Sequence, residues 1–229
     1  MTQRVVFIDE TAQIGGAEVL MVTIARQLRR RGWDAAVVLP QSGPLRALLA
    51  DAGVPVTYVP TQPFMPSSFY LAQRLKLPNP LALLVNAALG SLWILRLQRA
   101  FRRRRPALLH TMSMWSHVFA GLVGRLAGLP VVWHFQEIMN PSSGFGLYRR
   151  MLRGWARWVP TRIVCISARV ARQFEGSART RDKVDVVWNT IDTERFAPAD
   201  DQGKDAGDGR PLTIGTAARF ARWKGHRVA

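Results

Sequence analysis

Short apolar runs alternate with longer amphipathic stretches along this chain. Residues 4–8, RVVFI, form an apolar run, which is typical of a strand that is buried on both faces. From Ala17 to Leu28 the apolar residues recur at helical spacing with polar residues on the other face, and Gly32 is a natural stop. Residues 34–40, DAAVVLP, form the next apolar run. This alternation predicts right-handed crossovers and a mostly parallel sheet.

The same pattern continues through most of the chain. GPLRALLADAG predicts a short helix with Pro44 near its first turn, and VPVTYVP predicts a third strand. Later strands are predicted at 107–111, 130–134, 162–166 and 184–188. Residues 197–211 are acidic and rich in Gly and Pro, which is typical of a linker, and LTIGTA at 212–217 predicts a new strand. We therefore expect an α/β domain over 1–190, an interdomain segment and linker over 191–211, and the start of a second domain over 212–229.

Composition narrows the class of protein. The chain has 229 residues, 48% of them hydrophobic, which suffices for one core and the start of another. Its one cysteine, Cys165, lies in the apolar run RIVCIS and is interpreted as a small buried side chain in a reducing compartment. The first residues, MTQRVVFIDE, lack the apolar segment of a signal peptide. We therefore expect a cytoplasmic location.

The net charge of +17 is concentrated in the middle of the chain. Residues 52–174 hold sixteen Lys and Arg but a single acid, Glu137, whereas the two flanks are nearly balanced. Five of the eight tryptophans lie in the same region. Such a field attracts polyanions, so nucleic acid, anionic lipid and phosphorylated substrates are the candidate partners.

Gly15 and Gly16 stand between the first strand and the first helix. Glycines at such a turn let backbone N–H groups approach a phosphate, and the helix N-terminus adds about half a positive charge. A tight turn without a ligand explains the pair equally well. The sequence G-x-G-x-x-G is absent, and the second strand ends VVLPQSG without an acid. Both features argue against a Rossmann dehydrogenase.

The motifs follow one another in a recognisable order. GGAE with the helix after it, PALLHTMSMWSHVFAGLVGRLAGLPVVWHFQE, TRIVCIS with ARVARQF, VDVVWNTIDTERFAP and LTIGTAARFARWKGH occur in turn. This set resembles the retaining family-four glycosyltransferases of the GT-B fold, which usually have Asn-Gly where this chain has Asn189-Thr190. The resemblance implies a Rossmann-like parallel sheet flanked by helices, followed here by the first strand of a second such domain.

The resemblance also implies an activity and its residues. A sugar would pass from a nucleotide-diphosphate sugar to a glycan or lipid-linked acceptor with retention at the anomeric carbon, and no cofactor would be needed. Gly16, with Gly15 beside it, matches the loop that faces the donor diphosphate, and His134 matches the histidine beside the transferred sugar. Arg219 and Lys224 match the basic pair that holds the diphosphate, where fixed cations stabilise the leaving group as its charge develops.

Several residues have a second interpretation. His134 stands at a strand end and is also explicable as a structural hydrogen-bonding group. Arg219 and Lys224 are also explicable as surface cations. Glu137 either contacts the acceptor or offsets the local positive charge. Ile138 stands where a zinc protease of the H-E-x-x-H type needs its second histidine, and no D-x-D sequence occurs, so we expect no metal.

Three further polar residues are expected to be structural. His110 and His117 are interpreted as structural histidines. Ser167 is interpreted as the N-cap of a helix, because no nucleophile motif surrounds it. The resemblance places nucleotide recognition and a pair of glutamates beyond the residues given, so we expect 212–229 to pack poorly and this chain alone to be inactive.

Two stretches of the basic region are candidates for a membrane surface. Residues 81–95 are mostly apolar but fall short of the ~20 residues that span a bilayer, and six arginines follow within 96–105. In YRRMLRGWARWV one face is apolar and arginines lie beside it. The sequence predicts peripheral attachment to the inner face of the plasma membrane. The alternatives are that both helices pack on the sheet, or that the protein binds nucleic acid, for which no recognised motif is present.

Overall fold

The computed structural model describes residues 3–60, 68–71, 75–78, 80–139, 145–191, 193 and 215. Contacts divide the chain into two compact units, Met1–Thr190 and Ile191–Ala229. The expected linker at 197–211, nearly all of the expected strand at 212–217, and both Arg219 and Lys224 lie outside the described residues.

The first unit contains nine described strands. They are β1 Arg4–Ile8, β2 Asp34–Leu39, β3 Val56–Tyr58, β4 Ser68–Leu71, β5 Leu75–Pro78, β6 Leu108–Thr111, β7 Val131–Phe135, β8 Arg162–Cys165 and β9 Val184–Val186. Seven of them form one parallel sheet in the order β3-β2-β1-β6-β7-β8-β9, which confirms the α/β fold expected from the sequence. The antiparallel hairpin β4–β5 was not expected.

Helices connect the strands of the parallel sheet. They are α1 Gly16–Arg30, α2 Leu45–Asp51, α3 Pro80–Arg104, α4 Gly121–Leu126, α5 Phe145–Ala156, α6 Ala168–Ala171 and α7 Ala178–Arg181. A π-helical turn, Ser116–Ala120, precedes α4, and a 3-10 turn, Arg172–Phe174, follows α6. Gly32 after α1 has a φ of 84°, a conformation that favours glycine, so it ends the helix as expected.

The sheet separates two hydrophobic layers. On β1, Val5 and Phe7 pack with residues of α1 and α2 on one face. Val6 and Ile8 pack on the other face, in a cluster with residues of α3, α4 and α5. Because successive side chains of a strand point to opposite faces, a run that is apolar at every position serves both layers.

The strand order reverses between β1 and β6. Strands β2 and β3 extend the sheet on one side of β1, and β6 to β9 extend it on the other side. In open parallel sheets, ligands bind at such a switch point, outside the carboxyl ends of the strands. A ligand site is therefore expected beside the residues that directly follow β1, β6 and β7.

The two basic helices differ in how they use their apolar residues. On α5 and the turn after it, Leu152, Ala156 and Val159 are fully buried, and Trp155 packs against the same core. This face is therefore occupied by the protein interior, and α5 does not present it to a membrane. On α3 only one face is buried, and leucines remain exposed on the other. Within the described residues, no helix combines the length and apolar character needed to cross a bilayer.

Candidate functional site

Two acids directly follow β1 at the switch point. The side chain of Asp9 is only 3% exposed, and its Oδ1 accepts a hydrogen bond of 2.7 Å from the backbone N–H of Glu10. Burial raises the pKa of Asp9 to about 7, and the negative charges of Glu18 and Glu10 contribute to the shift. Asp9 is therefore a carboxyl group that can exchange a proton near neutral pH.

Glu10 connects the two strands of the switch point. Its Oε2 accepts a hydrogen bond of 3.1 Å from the backbone N–H of Trp115, which follows β6. Burial raises the pKa of Glu10, and the charges of Glu137 and Glu18 raise it further. Glu137 lies after β7 and is exposed. Glu10 thus lies within electrostatic reach of three other carboxyl groups, those of Asp9, Glu18 and Glu137, although the chain as a whole is strongly basic.

The N-terminus of α1 lies at the same edge. Gly15 is its N-cap and, having no side chain, supplies no capping hydrogen bond, so the first N–H groups of the helix lack a side-chain cap. The Glu18 carboxylate lies over Gly15. A Cβ on Gly16, by contrast, would meet no atom within 4 Å. The helix terminus therefore has open space at Gly16 for an anion, next to the Glu18 carboxylate over Gly15.

His134 lies in β7 near its carboxyl end, and its side chain is 4% exposed. Its Nδ1 is 3.1 Å from Nε2 of His110 in β6, and its own Nε2 is buried without a hydrogen-bond partner in the described part of the chain. Burial lowers the pKa of His134 to about 4. It also lowers the pKa of His110 to about 3, to which the nearby His134 adds. Both rings are therefore neutral at pH 7, and one donates to the other.

The remaining polar candidates are structural, as the sequence indicated. His117 is buried, lies 2.6 Å from Oγ1 of Thr111 through its Nδ1, and stacks on Trp133. Ser167 caps α6, because its Oγ accepts a hydrogen bond of 3.3 Å from the backbone N–H of Val170. Cys165 is fully buried, and burial raises the pKa of its thiol to about 12, which makes it unreactive.

The structure thus places Gly15, Gly16, His134 and Glu137 at or near one edge of the sheet. The sequence interpretation missed Asp9 and Glu10, although two acids directly after a buried strand were a readable signal. It also missed that His110 contacts His134, because this depends on the pairing of β6 with β7. Within the described ranges, no group of three or more His, Cys, Asp or Glu side chains is arranged to hold a metal ion.

Comparison with known proteins gives a family and several structural neighbours. A family model described as Glycosyltransferase Family 4 matches residues 14–195. The structure of Anabaena HepE in complex with UDP and glucose is similar, with a TM-score of 0.64, 20% sequence identity, and coverage of 84% of this chain and 46% of that chain. No curated protein matches.

Two other solved structures are similar at lower identity. The lipopolysaccharide outer core galactosyltransferase WaaB in its apo form has a TM-score of 0.55 and 12% identity, and the match covers 82% of this chain and 46% of that chain. A UDP-N-acetylglucosamine 2-epimerase has a TM-score of 0.54 and 14% identity, with coverage of 82% and 49%.

These likenesses establish the fold and the family separately. The chain spans about half the length of the solved structures that it matches, and at these identities they show a shared Rossmann-like fold of the GT-B type. An epimerase shares this fold, so the fold alone does not fix the chemistry. The family model, in contrast, matches most of the chain, from the glycine loop to the end of the first unit. The chain therefore belongs to Glycosyltransferase Family 4.

Proposed function

We propose that this chain is the acceptor-side half of an enzyme that transfers a sugar from a nucleotide-diphosphate sugar to a glycan or lipid-linked acceptor. The observation that carries the proposal is His134. It is a buried, neutral histidine whose Nε2 has no hydrogen-bond partner among the described residues. Its strand belongs to the sheet, and the uncapped N-terminus of α1 lies at the carboxyl edge of that sheet. A buried polar atom without a partner suits a ligand that supplies one.

The α1 terminus is proposed to face the donor diphosphate. The first N–H groups of the helix and its dipole favour a negative group, and the space at Gly16 admits one. The Glu18 carboxylate, which lies over Gly15, would turn away when a diphosphate binds. In the second domain, Arg219 and Lys224 are proposed to hold the same diphosphate, so that transfer needs no metal and no cofactor.

His134 is proposed to orient the transferred sugar. If His110 donates its Nε2–H to Nδ1 of His134, then Nε2 of His134 carries a proton and can donate to a sugar hydroxyl. The anomeric carbon gains positive charge as its bond to the diphosphate breaks. Because the pKa of His134 is lowered to about 4, the ring stays neutral and does not oppose that charge. This role is compatible with the retention of configuration that the family resemblance implies.

The carboxylates at the edge are proposed to bind acceptor hydroxyl groups. Glu137 is exposed beside the Glu10 side chain, and ionised carboxylates are strong hydrogen-bond acceptors.

We further propose that the enzyme works in envelope or extracellular polysaccharide or glycolipid synthesis, peripherally bound to an anionic membrane on its cytoplasmic face. Residues 52–174 support this, because they hold sixteen Lys and Arg against one acid. Basic surfaces of this kind are attracted to anionic lipid by about 1 kcal/mol per residue near the surface.

The reaction itself can be tested with the parent protein that contains this chain. It would be incubated with a panel of nucleotide-diphosphate sugars and a lipid extract, and the product would be analysed by proton NMR of the anomeric centre. We expect an acceptor-linked sugar with the anomeric configuration of the donor. An epimerised nucleotide sugar without acceptor-linked product, or an inverted linkage, would contradict the proposal.

The 229-residue chain alone is expected to release no nucleoside diphosphate from any nucleotide sugar. The reason is that the family resemblance assigns nucleotide recognition to a second domain. Detectable turnover by this chain in the same assay would show that the first unit carries the complete site.

A further inference from the structure

Helix α3 has an exposed stripe that is apolar at one end and basic at the other. Leu81, Leu84, Leu92 and Leu95 are 64%, 71%, 39% and 49% exposed. Continuing at the same spacing of three or four residues, Arg99 and Arg103 follow on this face. Trp93, Leu97 and Phe101 occupy the opposite face and are buried in the core.

The exposed leucines are not needed to hold α3 in place. The buried face, with Trp93 packed edge-on against Phe119, already attaches the helix to the sheet and to the turn before α4. A helix on a protein surface normally shows polar residues to water. Four exposed leucines in line therefore indicate a surface that is covered by something apolar.

The basic end of the stripe borders a pocket. A cavity of about 410 Å³ lies between α3 and the end of β3, lined by Thr57–Pro60, Ala100 and the three arginines Arg96, Arg99 and Arg103. The Arg96 Nη1 donates a hydrogen bond of 3.0 Å to the carbonyl oxygen of Pro60, which fixes this guanidinium at the wall of the pocket.

The charge of these arginines is not balanced nearby. Among the described residues, no carboxylate forms an ion pair with any of the three. The only acid in residues 52–174 is Glu137, which lies beside Glu10 at the carboxyl edge. Three arginines that line one cavity without acidic partners suit a phosphate, which guanidinium groups bind through paired N–H donors.

We propose that this pocket binds the phosphate of an anionic lipid headgroup while the leucine stripe enters the acyl boundary of the same leaflet. The stripe from Leu81 to Leu95 is about 21 Å long at about 1.5 Å per residue, and interfacial helices place such a face about 5–10 Å into the headgroup region. The inference rests on the membrane partner proposed above and names the element and the lipid group that make the contact.

The exposed leucines favour a lipid phosphate over other phosphate-containing ligands. Inorganic phosphate or a nucleic acid would satisfy the arginines but would leave Leu81 and Leu84 in water. A bilayer satisfies both ends of the stripe. The apolar and basic parts are therefore expected to contribute independently to binding.

The test is flotation of the 229-residue chain with phosphatidylcholine vesicles that contain or lack phosphatidylglycerol, without any nucleotide sugar. Wild type is expected to bind the anionic vesicles only. Replacing Arg96, Arg99 and Arg103 by Gln is expected to lower the partition coefficient about 100-fold, or about fivefold per arginine. A matched variant with Gln at Arg30, Arg31 and Arg46, which are exposed on and around α1 and α2, loses the same charge and is expected to change partition less than about fivefold.

A second variant tests the apolar end. Leu81→Ser with Leu84→Ser is expected to lower binding about tenfold or more, and the loss should persist in high salt, which screens the arginines but not the burial of apolar surface. Circular dichroism confirms that each variant is folded. The same arginines replaced by Lys should bind less well than wild type, because Lys keeps the charge but not the paired donors.

Three results would overturn the inference. Equal losses in the two Gln variants would show that net charge, not the pocket, drives binding. Unchanged vesicle binding by the Leu81→Ser and Leu84→Ser variant, together with displacement by millimolar inorganic phosphate, would assign the pocket to free phosphate. Binding to RNA with no binding to anionic vesicles would assign the surface to nucleic acid. Because the experiment measures vesicle binding and not sugar transfer, a negative result would leave the proposal of sugar transfer unaffected.

Discussion

Replacing Asp9 by Asn is expected to stabilise the protein at and above neutral pH. Asp9 is 3% exposed at the end of β1, and its burial raises the pKa of the carboxyl group from its ordinary value of 3.8 to about 7. The Asn side chain has the same shape, and its Oδ1 can still accept from the backbone N–H of Glu10, as Oδ1 of Asp9 does. The substitution therefore removes the buried charge and little else.

The size and sign of the effect follow from the shift in the pKa of Asp9. Between about pH 4 and 7 the folded chain keeps a proton that the unfolded chain has released, so Asp9 destabilises the fold increasingly as the pH rises through this window. With about 1.4 kcal/mol per pKa unit, the penalty is small at pH 4 and reaches about 4 kcal/mol at pH 8. The advantage of Asp9→Asn should grow over that window and level off above it.

Urea unfolding monitored by tryptophan fluorescence measures this difference at several pH values. The histidines with lowered pKa values, His110 and His134, also make stability depend on pH, but they are present in both proteins and cancel in the difference. Asp51→Asn is the control, because it removes an exposed carboxylate at the end of α2 and leaves the buried Asp9 in place. A difference for Asp9→Asn that does not change with pH would refute the reasoning.

Three further substitutions separate the roles of nearby residues. Gly16→Ala should leave urea unfolding unchanged or slightly improved, because its Cβ has free space within 4 Å, yet raise the donor KM of the parent enzyme about tenfold or more; an unchanged KM would remove the diphosphate from this position. His110→Phe should lower kcat about 10- to 100-fold at little change in KM by releasing His134 from its orientation; a change in KM alone would contradict a positioning role. Gly124→Ala should destabilise the fold by about 1–3 kcal/mol in urea unfolding, because its Cβ would meet Leu109 and Val131; a more stable variant would show that α4 can move away.

The parallel sheet was predictable because each of its strands is marked by the composition of its own short segment. RVVFI and DAAVVL are apolar at nearly every position, and a strand covered on both faces needs that composition wherever it lies in the sheet. The hairpin β4–β5 was not predicted, since its strands of four residues lack a turn signal of the usual kind between them. The π-helical turn at Ser116–Ala120 was missed for a related reason, because it differs from an α-helix only in its backbone hydrogen bonds.

The fate of the apolar helix faces required the tertiary structure. α3 and α5 both combine apolar and basic residues in sequence, and both were candidates for a membrane surface. The structure buries Leu152 and Ala156 of α5 in the core but leaves Leu81 and Leu84 of α3 exposed. Periodicity shows that a face is apolar, whereas what covers it depends on neighbours that are distant in sequence.

The candidate site was predictable only where a motif marked it. Gly16 and His134 were identified from the order of the family motifs, and both lie in elements that end or begin at the switch-point edge. The raised pKa of Asp9 was not predictable, because its first cause is burial, which depends on how the whole sheet packs. The contact of His110 with His134 was not predictable either, since it joins two strands across a separation of 24 residues. Proximity across a parallel sheet carries no local signal.

The most direct test of the account compares the transfer rate per folded molecule of the parent enzyme with that of its His134→Ala variant. His134 is the buried histidine at this edge whose Nε2 has no hydrogen-bond partner among the described residues. With the nucleotide sugar bound, the account predicts a loss of about 100-fold or more in kcat. This is the size of loss expected when a hydrogen-bond donor is removed from an active site that excludes water. Rates within about twofold of each other, with both proteins folded, would contradict the assignment of the site.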